Sequence, residues 1–361
     1  MRFKFSIERV ILQPTSMCNL KCSYCYLPGR SDGHRMALDT TNQVAEELHK
    51  TGNYVEIIWH GGEPLSCGFN HFSQLALSFE DLRESGFIHH GIQSNATLID
   101  ERWCEFFHDH EFRVGISLDG PPWANTRRVG RDGKPAYRRI MVGIQELKKA
   151  NIPFSIICVV SHNDLGKAND LYNFFTDIGC ASLGINIEER LGANTNKSPD
   201  DNYKIVRFWR ELFSAWRANP IIKMRDFDRV LSSLSLLSDD TPPVVPELYD
   251  IFPSIAWNGD VVLLAPEFLN TVSNKYGSFI VGNVHRDSFI DIIRKGNSVQ
   301  YIQDYVHGIE RCNNECEYFP ICYGGQAGNK FSEHGTIDAT ETAFCRNSEM
   351  RLADAILEEL I

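Results

Sequence analysis

The sequence has no apolar run long enough to span a bilayer, and residues 1–9 do not form a secretory signal. It also has no basic block, no polar low-complexity tail and no internal repeat, and its net charge is −11. A protein that binds nucleic acid non-specifically depends on Lys and Arg for its affinity, so this composition argues against that class. We therefore expect a cytoplasmic protein that has neither a membrane nor a nucleic acid as its partner.

The chain does have a large hydrophobic fraction and many cysteines. Its 361 residues are 43% hydrophobic, which suits one large barrel domain and a smaller one. Eleven Cys in a chain without a signal peptide indicate a reducing compartment and metal binding rather than disulfides. Three lie near the N-terminus and four in the last fifty residues. The remaining four stand singly, and we expect them to pack in the core: Cys67, Cys104, Cys158 and Cys180.

The N-terminal cysteines have the spacing Cys-x3-Cys-x2-Cys, formed by Cys18, Cys22 and Cys25. A closed structural zinc site takes four ligands, so these three thiols cannot complete one. They suit a cubane iron–sulfur cluster in which each Cys holds one iron and the fourth iron is open to a ligand that is not protein. The alternative is a set of buried thiols in an ordinary enzyme, which the motifs downstream make less attractive.

Short apolar runs alternate with longer amphipathic segments between residues 10 and 187. The predicted strands are 10–13, 54–59, 91–94, 112–118, 154–160 and 182–187, and the predicted helices are 40–50, 72–84, 102–109, 139–150 and 168–178. This alternation predicts parallel strands with crossover helices. Six such units fall short of the eight of a closed barrel, so we predict an α/β fold, a partial (β/α)6 TIM-like barrel.

Ligand groups in parallel α/β folds sit at the carboxyl ends of the strands, and polar motifs follow several predicted strands here. Gly61-Gly62-Glu63-Pro64 follows the second strand; its glycines allow a close backbone approach, and Glu63 can accept a hydrogen bond from an ammonium group. A plain Gly-Gly turn is the alternative. Asn95 follows the third strand, and Ser117 lies at the end of the fourth.

The cysteine spacing and these motifs together resemble the radical SAM superfamily, whose core is a partial (β/α)6 barrel. The resemblance implies that the amino and carboxylate groups of S-adenosylmethionine (SAM) chelate the open iron of a [4Fe–4S] cluster, and that an electron then cleaves SAM to a 5′-deoxyadenosyl radical. It places these cofactor-binding residues around SAM: Tyr24, Gly61, Gly62, Glu63, Pro64, Asn95, Ser117, Arg128 and Asn186. Arg128 is expected to pair with the SAM carboxylate, with Arg127 as the alternative one residue away.

Four further cysteines have the spacing Cys-x3-Cys-x5-Cys-x22-Cys: Cys312, Cys316, Cys322 and Cys345. Spacing alone allows zinc or a fully protein-bound [4Fe–4S] cluster. The surroundings resemble the SPASM extension of radical SAM peptide maturases, which carries auxiliary clusters. A full SPASM domain has two, but residues 259–267 contain no Cys, and Gln326 stands where another ligand is expected. We therefore predict two clusters in total, one for SAM and one auxiliary.

Residues 265–268 and 324–330 resemble the GRRM and FxsB type of radical SAM/SPASM maturases. That resemblance implies a ribosomal precursor peptide as the substrate and a carbon–carbon crosslink, a cyclophane, between an aromatic ring and a nearby Cβ. The auxiliary cluster would accept the electron released by the ring. Glu267 is the candidate general base and Asp119 the second candidate, while a surface or structural role is the alternative for each. A flavodoxin or ferredoxin-like protein would supply electrons.

Three rival functions stay open on the sequence: a sulfatase-maturing enzyme that forms formylglycine, a sactisynthase that forms a sulfur–Cα bond, and a non-catalytic zinc-binding scaffold. We predict a barrel over residues 1–195, a helical linker over 196–245 and a SPASM-like domain over 246–361, with Thr241-Pro242-Pro243 breaking the pattern before the last of these. Little chain precedes the first predicted strand, so we expect leader recognition by the core, the C-terminal domain or a partner.

Overall fold

The computed structural model describes residues 2–3, 7–196, 200–238, 248–249 and 251–360. The predicted boundary at residue 245 and the break at Thr241-Pro242-Pro243 lie outside the described residues. Within them, no helix has both the length and the apolar character needed to cross a membrane.

The N-terminal half alternates strands and helices as predicted. Its elements are β1 (Arg2–Phe3), β2 (Arg9–Leu12), α1 (Leu38–Thr51), β3 (Val55–Trp59), α2 (Phe69–Leu77), α3 (Glu80–Glu84), β4 (Ile88–Ser94), α4 (Glu101–Asp109), β5 (Arg113–Ser117), α5 (Tyr137–Lys149), β6 (Phe154–Val160), α6 (Ala168–Ile178) and β7 (Ser182–Ile187). Each strand from β2 to β7 pairs in parallel with the next, and at least one helix connects each successive pair. The predicted partial α/β barrel is confirmed.

The C-terminal half is mostly helical with short strands. Its elements are α7 (Asn202–Ala218), β8 (Lys223–Met224), α8 (Arg225–Ser238), β9 (Leu248–Tyr249), β10 (Ser254–Ile255), β11 (Asp260–Val262), β12 (Val272–Ser273), β13 (Gly277–Ser278), β14 (Gly282–Asn283), α9 (Phe289–Gly296), α10 (Gln300–Glu315), α11 (Phe319–Cys322), α12 (Ala327–His334) and α13 (Arg351–Leu360). A π-helical segment, Cys345–Met350, leads directly into α13.

The main sheet runs through both halves of the chain. Over the described residues it has ten strands in the order β14-β11-β10-β2-β3-β4-β5-β6-β7-β8. The join is parallel, with Ser254 of β10 opposite Ile11 of β2. The strand β2 leads into the loop that carries Cys18, Cys22 and Cys25, which we call the cysteine loop. This loop therefore lies between motifs of the barrel on one side and residues of the C-terminal half on the other.

One predicted helix is interrupted, and the predicted helical linker contains two helices, each division having a physical reason. The predicted helix 72–84 divides into α2 and α3 at Ser78 and Phe79, where Phe79 is fully buried against Trp59 with ring centroids 6.0 Å apart. The segment 200–237 divides at Pro220, whose missing N–H and fixed φ do not continue a helix. The short strand β8 follows that break and adds to the sheet beyond β7, an extension that the sequence did not predict.

Candidate active site

The three N-terminal thiols face one cavity at the carboxyl edge of the barrel. Cys18, Cys22 and Cys25 line it, and its volume is about 610 Å³. Burial raises the pKa of Cys18 to about 12 and also raises the pKa of Cys22. These groups become thiolates readily only when a metal supplies positive charge. Three thiols on one wall of a large cavity fit a cluster that leaves one iron for a further ligand.

The Gly-Gly turn after β3 holds the cysteine loop in place. Glu63 donates its backbone N–H to the carbonyl of Met17 at 2.8 Å, and Gly62 donates its own to Thr15 at 3.2 Å. A Cβ on Gly62 would lie 2.1 Å from the carbonyl oxygen of Met17 and 2.3 Å from that of Ser16. No side chain fits there, so the glycine is required by the close approach of the two backbones.

The Glu63 side chain is buried beside the cavity wall. Its carboxylate accepts hydrogen bonds from the Asn95 N–H at 2.7 Å, the Ser94 hydroxyl at 2.9 Å and the Leu65 N–H at 3.2 Å. Burial raises the pKa of Glu63 to about 7, although these hydrogen bonds act in the opposite direction. Pro64 begins the short helical turn behind it. Among the described residues, Gly61 and Gly62 line the cavity, whereas Glu63 and Pro64 do not. The hydrogen bonds of Glu63 hold the Asn95 loop, and its contact with SAM stays a prediction.

The other polar residues predicted to bind SAM lie on the cavity wall, at or next to the carboxyl ends of three strands. Asn95 follows β4 and donates to Asn19 at 2.9 Å; its amide nitrogen lies 3.8 Å from the Cys18 sulfur. Ser117 ends β5, and its hydroxyl accepts a hydrogen bond from Gln93 at 2.9 Å. Asn186, near the end of β7, is also on the wall. The carboxyl ends of these parallel strands lie at one edge of the sheet, so the side chains line the same cavity, as expected from the sequence.

A buried ion pair underlies the cysteine loop. Arg128 lies 3.1 Å from Asp119 through Nε and through Nη2, and Tyr24 donates its hydroxyl to the same carboxylate at 2.6 Å. The Val159 N–H also donates to Asp119 at 3.1 Å. Tyr24 and Arg128 line the cavity, whereas Asp119 lies behind them.

The structure distinguishes the two neighbouring arginines. Arg127 bonds to Glu188 at 2.6 Å and lies outside the cavity lining that the described residues form, while Arg128 is on the wall. This placement favours Arg128 as the residue that faces a SAM carboxylate. That role stays a prediction.

The cavity wall, contributed in part by the C-terminal half, carries several carboxyl groups among the described residues: Glu188, Glu189, Asp226, Glu267 and Glu349. Glu267 comes from a short turn, Pro266–Phe268, and its Oε2 atom is buried with no hydrogen-bond partner among the described residues. Burial raises the pKa of Glu267 to about 7. Glu189 follows β7 and accepts a hydrogen bond from Asn329; burial, and then the charge of Glu267, raise its pKa to about 8. Sequence reasoning missed Glu189, although a Glu-Glu pair directly after a strand was a usable signal.

The four C-terminal cysteines surround a second cavity of about 410 Å³. Cys312 lies in α10, Cys316 caps it, Cys322 ends α11 and Cys345 begins the π-helical segment. Four thiols around one cavity fit a cluster bound entirely by protein. No three His, Cys, Asp or Glu side chains among the described residues converge as a single metal ion would require.

Lys330 lies beside this second cysteine set and was not recognised from the sequence. It is 1% exposed, and its Nζ has no hydrogen-bond partner among the described residues. Burial lowers the pKa of Lys330, while Cys312, Cys322 and Cys345 act in the opposite direction through their charges. The Nζ atom also lies 5.6 Å from the centroid of the Tyr305 ring, a cation–π contact. Burial of a cation that has no hydrogen-bond partner among the described residues is costly, so its position indicates that negative charge belongs nearby.

The four single cysteines are all buried in the core, which confirms the packing expected for them: Cys67, Cys104, Cys158 and Cys180. Three of their thiols donate to backbone carbonyls: Cys67 to Pro64 at 2.9 Å, Cys158 to Asp119 at 3.3 Å and Cys180 to Phe175 at 3.7 Å. They lie outside both cysteine sets.

Comparison with known proteins agrees with this geometry. The model of the Radical SAM superfamily matches residues 12–175. An uncharacterized protein of Synechocystis is 32% identical over 365 residues, which cover 97% of this chain and 91% of that protein. The chain belongs to the radical SAM superfamily. It is therefore an enzyme that uses SAM and a [4Fe–4S] cluster, and the hypothesis of a non-catalytic zinc scaffold is wrong.

This radical SAM enzyme is similar in sequence to sulfatase-maturating enzymes and similar in fold to several solved structures. It is 25% identical to the cysteine-type anaerobic sulfatase-maturating enzyme of Clostridium perfringens over 342 residues, 88% of each chain. Its fold matches that of anSMEcpe with bound AdoMet at a TM-score of 0.79 and 20% identity, with 98% of both chains covered. It also matches Streptococcus suis SuiB bound to the precursor peptide SuiA at a TM-score of 0.66 and 15% identity, covering 94% of this chain and 76% of that one.

Proposed function

We propose that this radical SAM enzyme modifies a ribosomally made precursor peptide by joining an aromatic ring carbon to the Cβ of a nearby residue. One observation carries the proposal: a single cavity is lined both by the three thiols and by Glu267, whose Oε2 atom has no hydrogen-bond partner among the described residues. Two structures of similar fold, anSMEcpe and SuiB, contain bound peptides, which supports a peptide substrate.

Different residues on the cavity wall would bind the cluster and SAM. Cys18, Cys22 and Cys25 would hold the cluster, and Asn95 and Arg128 lie where they can bind the amino-acid portion of SAM. When bound, the cluster and SAM supply a 5′-deoxyadenosyl radical that removes a hydrogen atom from the substrate.

Forming the crosslink leaves a proton and an electron to remove from the aromatic ring. Glu267 is suited to take the proton, because a carboxyl group with a pKa near 7 is a useful base at neutral pH. The electron would pass to an auxiliary cluster held by the four C-terminal cysteines, whose full set of protein ligands leaves no iron for substrate.

Asp119 is less suited to act as the base. Its carboxylate already accepts hydrogen bonds from Tyr24, Arg128 and the Val159 N–H, and it lies behind the cavity wall. We assign it the role of positioning Arg128 and Tyr24.

Formylglycine formation is the second candidate, favoured by the resemblance to sulfatase-maturating enzymes along 88% of the chain. The two candidates differ in the product and in the number of auxiliary clusters that each is expected to use. The missing ligand at Gln326, which lies on the wall of the active-site cavity, favours the peptide-crosslinking candidate.

The test compares SAM cleavage with peptide modification. Cys345→Ala should break the auxiliary cluster and leave the three N-terminal ligands intact. We expect it to form 5′-deoxyadenosine and yet give little or no crosslinked peptide. Cys180→Ala, which removes a buried thiol outside both sets, is the matched control. Crosslinking at the normal rate by a folded Cys345→Ala protein would show that the auxiliary cluster is only structural.

A further inference from the structure

The segments around the N-terminal cysteines carry a charge opposite to that of the whole molecule. Residues 18–35 and 127–139 contain nine Lys and Arg but only two Asp, in a chain whose net charge is −11. The two segments are adjacent in space: Leu20 and Gly130 form an antiparallel bridge, and the Lys21 N–H donates to the Val129 carbonyl at 2.7 Å. The chain therefore concentrates positive charge around its cluster-binding loop.

Five of these basic side chains form what we call the basic loop patch: Lys21, Arg30, Arg131, Lys134 and Arg139. All but the half-buried Arg30 are exposed. Among the salt bridges of the described residues, none joins a patch residue to a carboxylate, in contrast to Arg127 and Arg128 beside them. Asp132, the acid within the 127–139 segment, accepts the backbone N–H of Lys134 at 3.1 Å. The patch is therefore net positive, with Asp132 beside Arg139 as an acidic neighbour.

The patch touches the backbone of the cluster ligands themselves. Arg131 donates through Nε to the carbonyl of Cys18 at 2.8 Å, and Arg30 donates through Nη1 to the carbonyl of Cys22 at 2.9 Å. The thiols of these cysteines face the cavity, whereas no patch residue lines it. A partner on the patch would therefore approach the cluster from outside while the substrate cavity stays free.

We infer that the basic loop patch is the docking surface for an acidic one-electron carrier protein that reduces the SAM cluster. SAM cleavage consumes one electron per event, and the carrier gives up one electron to the cluster and is itself oxidised by one. Charge complementarity favours fast, weak and salt-sensitive encounters, which suit a carrier that must leave after each transfer. The inference rests on membership of the radical SAM superfamily and does not depend on which peptide product forms.

Charge reversal at two exposed patch positions tests the inference. The variant is Lys21→Glu with Lys134→Glu, and the control is Lys204→Glu with Lys295→Glu, two exposed lysines elsewhere with the same change in net charge. The probe is a purified acidic flavodoxin reduced to its hydroquinone, mixed anaerobically with reconstituted enzyme and SAM. We expect flavodoxin-driven formation of 5′-deoxyadenosine to slow by about tenfold or more in the patch variant only. The wild-type rate should also fall as salt is added.

Dithionite replaces the carrier in a parallel assay and separates docking from chemistry. With dithionite, patch variant and wild type should agree within about twofold, because a small reductant needs no docking surface. Equal flavodoxin-driven rates in patch variant and wild type would overturn the inference, as would equal slowing in the control. Weaker binding of the substrate peptide with unchanged reduction would assign the patch to the peptide instead and would also overturn it. A patch variant that crosslinks peptide with dithionite leaves the proposed function intact in each case.

Discussion

Glu267 and Glu189 show how burial prepares ordinary carboxyl groups for proton transfer. Both lie on the wall of the cavity that also holds the three N-terminal thiols, and burial raises their pKa values to about 7 and about 8. The Oε2 atom of Glu267 has no hydrogen-bond partner in the described part of the chain, whereas Glu189 is held by Asn329. Of the two, Glu267 is therefore the freer to exchange a proton with a substrate.

Replacing Glu267 by Gln should separate radical formation from product formation. The amide keeps the shape of the side chain but cannot take a proton, so we expect product formation to fall by roughly 100-fold or more while SAM cleavage continues. The measurement is the ratio of peptide product to 5′-deoxyadenosine. A ratio equal to that of the wild type would remove Glu267 from the reaction.

The pH profile provides an independent check on Glu267. The group acts as a base only when it is ionised, and its pKa is raised to about 7, so product formation should rise between pH 6 and pH 8. The rise should be absent from the residual activity of Glu267→Gln. A flat wild-type profile across this range, with SAM cleavage also constant, would contradict the assignment.

The burial of Lys330 beside the C-terminal cysteines leads to a prediction about the midpoint potential of the proposed auxiliary cluster. Reduction adds negative charge to a cluster, and a buried cation nearby stabilises the reduced form. Lys330→Met should therefore lower the midpoint potential, on the order of 100 mV for a unit charge several Å away at an effective dielectric constant of about 20. Redox titration followed by electron paramagnetic resonance measures this shift.

The controls for Lys330 separate charge from packing. Lys330→Arg keeps the charge and should keep most of the potential, and Lys295→Met removes a charge from the exposed surface and should change nothing. The metal-free Lys330→Met protein should be at least as stable as the wild type. It loses the cation–π contact with Tyr305, but it no longer buries an ammonium group that has no hydrogen-bond partner among the described residues. A destabilised variant with an unchanged potential would make Lys330 a packing residue.

At the scale of elements, the turn after β3 fixes the cysteine loop through one glycine. In Gly62→Ala the new Cβ would meet the Met17 carbonyl oxygen at 2.1 Å, so the loop must move. We expect the variant to lose the SAM cluster, about half of its iron, while it keeps the C-terminal cluster. Gly166→Ala is the matched control, since nothing lies within 4 Å of its Cβ position and its φ is not in the left-handed region. Full iron content in Gly62→Ala would show that the loop adapts.

The barrel and both cysteine sets were predictable because their signals are local. An apolar run predicts a strand such as Phe154–Val160, and the spacing of the cysteines predicts the two sets. The strands that join the halves of the sheet, β8, β10, β11 and β14, are only two or three residues long and depend on distant partners. The burial of the Glu63 and Lys330 side chains likewise depends on residues that are distant in the sequence. No local pattern carries that information.

At the scale of the whole molecule, one sheet joins the half of the chain with the three N-terminal cysteines to the half with the four C-terminal cysteines. Three thiols with an open position and four without one should bind about eight irons after anaerobic reconstitution. Changing Cys18, Cys22 and Cys25 to Ala should remove about half of that iron and abolish SAM cleavage. About twelve irons in the wild type would show a second auxiliary cluster and favour the sulfatase-maturating candidate.

The central claim is that the product is a crosslinked peptide, and tandem mass spectrometry of that product tests it most directly. The substrate would be a short peptide encoded beside this gene, incubated with reconstituted enzyme, SAM and reductant. We predict a peptide lighter by two hydrogen atoms per link, with fragmentation suppressed between an aromatic residue and a close neighbour and no reaction with a hydrazide probe. An aldehyde at a Cys or Ser that captures the hydrazide, or a bond from a Cys sulfur to a Cα, would contradict the account.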